Sequence, residues 1–340
     1  MNPITLHSTA RTMVAPGKGI LAADESTGTI AKRFDSIGVE STEESRRQYR
    51  QMLFTTPGIG EHISGVILFD ETIHQAADDG TPLVEILEKA GVIPGIKVDT
   101  GAKPLALFPG ETVTEGLDGL RERLAGYVQL GARFAKWRAT LFIADGLPTD
   151  AAIRANGHAM ARYAALCQEV GLVPIVEPEV LMDGDHHIDA CEAATGRTLD
   201  ALYAELAELR VDLPATLLKV NMVLCGSGCP DQASPRQVAE ATVRCLRAHV
   251  PNEVPGVVFL SGGQTDRDAT VHLNEMNSLG PNPWELSFSY GRALQAPALK
   301  AWSGDPGNRD AGQAALSHRA RMNGLARSGD YDVSREAVGA

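Results

Sequence analysis

Apolar residues in this chain fall into short runs separated by longer stretches of mixed character. Runs of four to eight apolar residues, bounded by glycine, proline or charge, read as buried strands. Eight runs fit: 19–23, 65–69, 95–99, 134–139, 172–179, 216–222, 256–261 and 286–290. Segments between them carry the helical period. Ser41 and Glu44 are spaced as a capping box for a helix ending near Phe54. Residues 118–130, 150–169 and 199–209 also read as helical. Ser234 and Pro235 suit the N-cap and first position of a helix that Pro251 stops. Its buried stripe would be Val238, Ala241, Thr242, Cys245, Leu246 and His249. A last helix covers 311–326.

Strands alternating with helices predict an α/β chain folded as a (β/α)8 TIM barrel. An open doubly wound sheet is the structural alternative, but no G-x-G-x-x-G follows the first strand. No linker, repeat or low-complexity stretch divides residues 1–340, so one domain is expected. Residues 1–16 are expected to pack outside the barrel, and 328–340 to form a short, poorly ordered polar tail.

Ionisable residues interrupt the apolar runs. Lys219 lies within Thr216-Leu217-Leu218-Lys219-Val220-Asn221-Met222. Burial disfavours an ammonium ion, and a desolvated amine with a lowered pKa is a nucleophile toward carbonyls. The plainer alternative is a lysine at a strand end that reaches solvent or an acid. Three other runs carry charges at i and i+2: Lys97 with Asp99, Lys136 with Arg138, and Glu177 with Glu179. The strand period is two, so each pair points to one side of the sheet. The charges fall late in each run. Charges converging on the C-terminal ends of parallel strands indicate an active site.

The composition is that of a globular protein, 44% hydrophobic and 22% charged over 340 residues. The net charge of −12 argues against nucleic acid or an anionic membrane as a partner. It also makes Lys97, Lys136, Arg138 and Lys219 stand out as a local cationic pocket for a small anionic ligand. No signal-peptide pattern or membrane-length apolar stretch is present. Five cysteines, an odd number without a paired framework, favour reduced thiols in a cytoplasmic protein. Cys225 and Cys229 lack nearby partners suited to metal binding.

Asp24 ends the first strand, where a carboxylate can take a proton from a bound hydroxyl or cap the next helix. Glu177 and Glu179 could divide acid and base roles, or neutralise Lys136 and Arg138. Ser261-Gly262-Gly263-Gln264 and Ser289-Tyr290-Gly291-Arg292 follow the seventh and eighth strands. Glycine turns there often hold phosphate, although each could be a tight turn that binds nothing. Arg292 adds a fork suited to phosphate oxygens. Asp183-Gly184-Asp185-His186-His187 has the residue types of a metal site, but adjacent histidines on a loop usually point apart.

These motifs together resemble the class I, Schiff-base-forming fructose-1,6-bisphosphate aldolases. The resemblance runs from Ala15 to about Tyr331. It is strongest at Ala15–Gly28, Gly65–Phe69, Phe134–Arg138, Val173–Glu179, Phe259–Gln264 and Phe288–Gln295. It implies a barrel in which Lys219 forms an imine with the ketose carbonyl. Glu177 would act in carbinolamine formation and dehydration, and Asp24 would deprotonate the C4 hydroxyl. Lys136 would assist beside the imine. Ser261, Gly262, Gly291 and Arg292 match the C1-phosphate site. Lys97, Arg138, Ser26 and Thr29 match the C6-phosphate end, and Arg33 another substrate-binding arginine. Glu179 and Ser289 join these sets from their positions on the strands.

Two departures stand out. Val220 follows the lysine where the family usually has proline, and the chain lacks a terminal tyrosine. The resemblance implies reversible cleavage of fructose 1,6-bisphosphate to dihydroxyacetone phosphate and glyceraldehyde 3-phosphate, without metal or organic cofactor. It also implies a homotetramer serving glycolysis and gluconeogenesis. The rivals are a Schiff-base aldolase of other sugar-phosphate preference and an idle barrel used as a scaffold.

Overall fold

The computed structural model describes residues 3–337. Ten strands occur: β1 (Gly19–Ala23), β2 (Ile63–Leu68), β3 (Ile93–Lys97), β4 (Gly101–Pro104), β5 (Thr112–Glu115), β6 (Phe134–Leu141), β7 (Val173–Val180), β8 (Leu217–Val220), β9 (Gly256–Phe259) and β10 (Glu285–Tyr290). Eight of them close a barrel in the order β1-β10-β9-β8-β7-β6-β3-β2, with every neighbouring pair parallel. The expected barrel and its eight strands are thus present, with ends displaced by up to two residues. Asp24, Asp99 and Ser261 fall just beyond their strands, on the loops.

The strand period explains the packing. Trp137, Val176, Leu218 and Val220 belong to the large cluster that includes the surrounding helices. The alternate residues Phe134, Ile175, Leu217 and Val258 form a second cluster within the barrel. Phe134 fills its centre so closely that a Cβ on Gly95 would lie 2.2 Å from the ring. Above this apolar floor, the same inward-facing rows continue as Lys136, Glu177 and Lys219.

Residues 1–16 were expected outside the barrel. The helix Pro3–Met13 lies across its N-terminal end, with Leu6, Ala10, Met13 and Val14 joining the interior cluster. The antiparallel hairpin of β4 and β5 was not anticipated. Its strands are short and its residues half-exposed, so no apolar alternation marks it. It docks on β6 through hydroxyl bonds from Thr112 to the Thr140 carbonyl (3.0 Å) and from Thr114 to the Arg138 carbonyl (2.8 Å).

Two helix boundaries need correction. The capping box on the helix Glu43–Phe54 is Thr42 with Ser45, not Ser41 with Glu44. Glu44 pairs with Arg47 one turn on. The segment expected at 199–209 is one helix, Ile188–Glu208, whose first turns carry small residues and little apolar signal. Ser234 with Gln237 does form a capping box, with Pro235 in the first turn.

The tail was expected to be loose beyond Tyr331. Through residue 337 it is held: Glu336 accepts from Arg319 (2.6 Å), from the Tyr331 hydroxyl (2.8 Å) and pairs with His318 (3.0 Å). Two of those partners lie on the helix Arg309–Arg327, a contact that local polarity does not reveal. The last three residues of the expected tail lie outside the described residues.

Candidate active site

The C-terminal mouth of the barrel opens into a cavity of about 1130 Å³. All the expected site residues line it: Asp24, Ser26, Thr29, Arg33, Lys97, Lys136, Arg138, Glu177, Glu179, Lys219, Ser261, Gly262, Ser289, Gly291 and Arg292.

Four of them form its buried centre. Lys219 Nζ lies 3.0 Å from Glu177 Oε1, and Lys136 Nζ lies 3.2 Å from Glu177 Oε2. Lys136 also reaches Asp24 Oδ2 at 2.6 Å. Strand register explains the meeting. β6 and β7 run side by side with Lys136 opposite Ile175 and Arg138 opposite Glu177, so inward side chains on the two strands interleave. Glu177 thus stands between the two lysines. Its Oε2 accepts no aligned hydrogen bond despite the nearby ammonium, which leaves a buried oxygen available to a ligand.

Burial and charge oppose each other here. Burial pushes the Asp24 carboxyl up, but Lys136, then Lys219 and Lys97, outweigh it and hold Asp24 well below the carboxylate range. Glu177 is lowered in the same way, its burial outweighed by Lys136, Lys219 and Arg138. Burial would lower Lys136, but Asp24 and Glu177 raise it well above the usual lysine value. Asp24, Glu177 and Lys136 are therefore all charged at neutral pH.

The flanking cations are tied to acids. Lys97 donates to Asp99 through both the carboxylate (2.5 Å) and the carbonyl (2.8 Å). Arg138 pairs with Glu179, so Glu179 neutralises an arginine and does not join the lysine centre. Ser26 caps the helix Thr27–Asp35 without a side-chain capping bond, and its hydroxyl meets Thr29 at 3.1 Å.

Across the mouth, Ser289 presents a buried hydroxyl without a partner. Gly262 is pressed against Glu179, where a Cβ would lie 2.8 Å from Oε1. Gly291 precedes the helix Arg292–Trp302, whose first residue is exposed and takes part in no ion pair among the described residues. An unpaired arginine, an unpartnered hydroxyl and a helix N-terminus make this side the better anion site.

One network escaped the sequence reading. Glu25, next to Asp24, is buried and accepts from Arg33, from Arg50 (2.5 Å) and from Gln295 (2.7 Å). Burial raises its carboxyl, but Arg50 and Arg33 bring it below its ordinary value. This network fixes Arg33 at the cavity wall. Arg50 on the buried side of its helix, between Tyr49 and Met52, was the one available signal.

The histidine pair does not converge. His187 meets the thiol of Cys229 (3.5 Å), while the ring nitrogens of His186 have no partner. Among the described residues, no group of three or more His, Cys, Asp and Glu side chains is placed to hold a metal ion. None of the described helices is long and apolar enough to cross a membrane.

A closed parallel barrel with paired lysines and carboxylates at its C-terminal mouth, and glycine turns on its last two strands, defines an enzyme for small anionic substrates. The model of the family described as fructose-bisphosphate aldolase class-I matches residues 5–340. The chain is 59% identical to a probable fructose-bisphosphate aldolase class 1 of Xanthomonas campestris, covering 96% of this chain and 98% of that protein. It is 56% identical to fructose-bisphosphate aldolase 1 of Toxoplasma gondii, covering 96% of this chain and 90% of the other. The fructose-bisphosphate aldolase of Plasmodium falciparum, solved with TRAP and a small-molecule inhibitor, superposes with a TM-score of 0.96 at 49% identity, covering 97% of this chain and 95% of that one. The chain belongs to the class I fructose-bisphosphate aldolase family.

Proposed function

We propose that this aldolase cleaves fructose 1,6-bisphosphate reversibly through an imine on Lys219. The carrying observation is Glu177 bridging Lys219 and Lys136 in a buried centre. The free amine of Lys219 attacks the C2 carbonyl. Glu177 takes the amine's proton and returns one to the departing hydroxyl, so water leaves and the C=N bond forms. Asp24 then accepts the C4-hydroxyl proton. The C3–C4 bond breaks, glyceraldehyde 3-phosphate departs, and the electron pair is held as an enamine by the iminium nitrogen. Protonation at C3 and hydrolysis release dihydroxyacetone phosphate. Lys136 remains an ammonium that steadies Asp24 and the negative charge developing beside it.

Ser261, Gly262, Ser289, Gly291 and Arg292 would hold the C1 phosphate. Lys97, Arg138, Ser26 and Thr29, with Arg33 nearby, would receive the C6 phosphate. Lys97 and Arg138 already pair with Asp99 and Glu179. The C6 end is therefore less strongly cationic, and turnover on fructose 1-phosphate against fructose 1,6-bisphosphate measures what that end contributes. A cytoplasmic homotetramer without metal or organic cofactor, serving glycolysis and gluconeogenesis, completes the proposal.

Borohydride added with dihydroxyacetone phosphate should reduce the imine and leave the triose on Lys219, found by peptide mass spectrometry. Labelling at Lys136 or Lys97 with Lys219 unmodified would overturn the assignment.

A further inference from the structure

The loop after β8 carries Cys225 and Cys229, both buried with only 4% exposure. Each thiol donates to the same acceptor, the Asp231 carbonyl, at 3.5 Å. The two sulfurs are therefore no farther apart than twice that distance. On the other side of Cys229, the Nδ1 of exposed His187 lies 3.5 Å from its sulfur. The pair thus has a proton acceptor that connects it to solvent.

The same loop is fastened to the loop after β7. The amides of Gly226, Ser227 and Gly228 donate to the carbonyls of His186 (2.8 Å), Met182 (2.7 Å) and Gly184 (2.7 Å). A Cβ on Gly226 would fall 2.4 Å from the Gly184 carbonyl oxygen, so this contact requires glycine. Met182 in turn presses on the turn after β9, where a Cβ on Gly263 would fall 1.8 Å from its sulfur. Three loops of the barrel mouth are therefore packed in series, from the thiols to the turn that carries Ser261 and Gly262.

We propose that Cys225 and Cys229 form a reversible thiol–disulfide site, with hydrogen peroxide as oxidant, whose closure weakens anion binding at the Ser261–Gly262 turn. The anion-binding half of this inference rests on the aldolase reading; the disulfide half does not. Cys229 passes its proton to His187, and its sulfur attacks a peroxide oxygen. The O–O bond breaks, and the departing hydroxide leaves as water after taking the proton back from His187. The resulting sulfenic acid is attacked by the Cys225 sulfur, which forms the S–S bond and expels the second water. Two thiols lose two electrons and two protons, and one peroxide becomes two waters. Both thiols then leave the Asp231 carbonyl, and residues 225–229 must shift with the three amides they carry. The shift reaches Met182 and then Gly263.

The test treats the reduced full-length enzyme with hydrogen peroxide, maps its thiols by peptide mass spectrometry, and follows KM for fructose 1,6-bisphosphate. Expected are a Cys225–Cys229 cross-link, a KM raised about 5-fold or more, and reversal of both by dithiothreitol. Cys225→Ser and, separately, Cys225→Ala should keep the reduced enzyme's KM and lose its peroxide response. Oxidation confined to other cysteines, or no cross-link, overturns the site. A cross-link with KM unchanged overturns the coupling. Absence of turnover in the reduced enzyme would fall on the aldolase reading, and the mass map would still decide whether the thiols form the pair.

Discussion

Lys136→Met separates structural charge pairing from simple packing. Methionine keeps most of the stem and removes the ammonium, which lies 2.6 Å from Asp24 and 3.2 Å from Glu177. At an effective dielectric of about 20, those two attractions are worth roughly 6 and 5 kcal/mol. Desolvation of the lysine, no longer needed, returns several of these. A net loss of about 3–5 kcal/mol at neutral pH remains, the range for breaking a buried pair. Its pH dependence is diagnostic. In the native chain, Asp24 and Glu177 are held below their ordinary values. Their contribution is therefore complete above about pH 5 and is lost as pH falls through the folded values. In the variant, burial acts on Asp24 without its main counter-charge and raises it. The penalty then exists at neutral pH and is relieved as pH falls and the acid protonates. The gap between the two proteins should narrow from the variant's side between pH 8 and about pH 5, and from both sides below about pH 5. Urea unfolding followed by circular dichroism from pH 8 to pH 3 measures it. A gap that stays constant over that range, or a variant as stable as the native chain at pH 8, would refute the charge argument. Turnover should fall about 10²–10³-fold as well.

Other outcomes follow from the same geometry. Arg292→Ala should weaken both fructose 1,6-bisphosphate and dihydroxyacetone phosphate by about 10–100-fold, because both carry the C1-side phosphate; weakening of the bisphosphate alone would assign Arg292 to the other end. Prolonged chelation should leave turnover unchanged, and a loss restored by Zn²⁺ would revive a metal-assisted mechanism. Truncation after Tyr331 should leave cleavage and proton exchange on dihydroxyacetone phosphate nearly unchanged but cost about 1–3 kcal/mol of stability, since Arg319 loses its 2.6 Å partner Glu336. Burial raises the Glu336 carboxyl, but the bonds from Arg319, His318 and Tyr331 bring it from 4.5 to about 2. Its contribution is thus complete above pH 4.5 and should fade on acidification toward pH 2.

The barrel and the cavity-lining residues were legible because they follow from period. A strand that buries both faces shows an apolar run, and a charge inside such a run has few reasons to be there. Lys136, Glu177 and Lys219 were found this way. The hairpin of β4 and β5 was not, since threonine hydroxyls hold it to β6 and Asn156 holds it to the helix Asp150–Val170, and neither leaves an apolar pattern. The Glu25 network escaped because its partners come from three different helices. The docking of Glu336 escaped because a glutamate near a chain end reads as solvated until Arg319 is brought to it. Periodicity gives the side of the sheet a residue faces. It does not give the partner it meets there.

That distinction decides between the two central lysines. In sequence they are alike, each within an apolar strand and each on its inward face. Their neighbours separate them. Lys136 is held by two carboxylates, one just beyond β1 and one on β7, which raise its proton affinity despite burial. An amine in that position is kept as a cation and can stabilise charge, but its lone pair is occupied by a proton. Lys219 touches only one carboxylate oxygen, at 3.0 Å. The same carboxylate carries a second oxygen without an aligned hydrogen bond, so it can take a proton from the amine and give one to a leaving hydroxyl without breaking the Lys136–Asp24 pair. The cation that anchors the site and the amine proposed to react are thus distinguished by counting carboxylates around each nitrogen. Moving a carboxylate next to Lys219 should therefore suppress imine formation, and Val220, beside Lys219 on β8 with its side chain among the outer helices, should not.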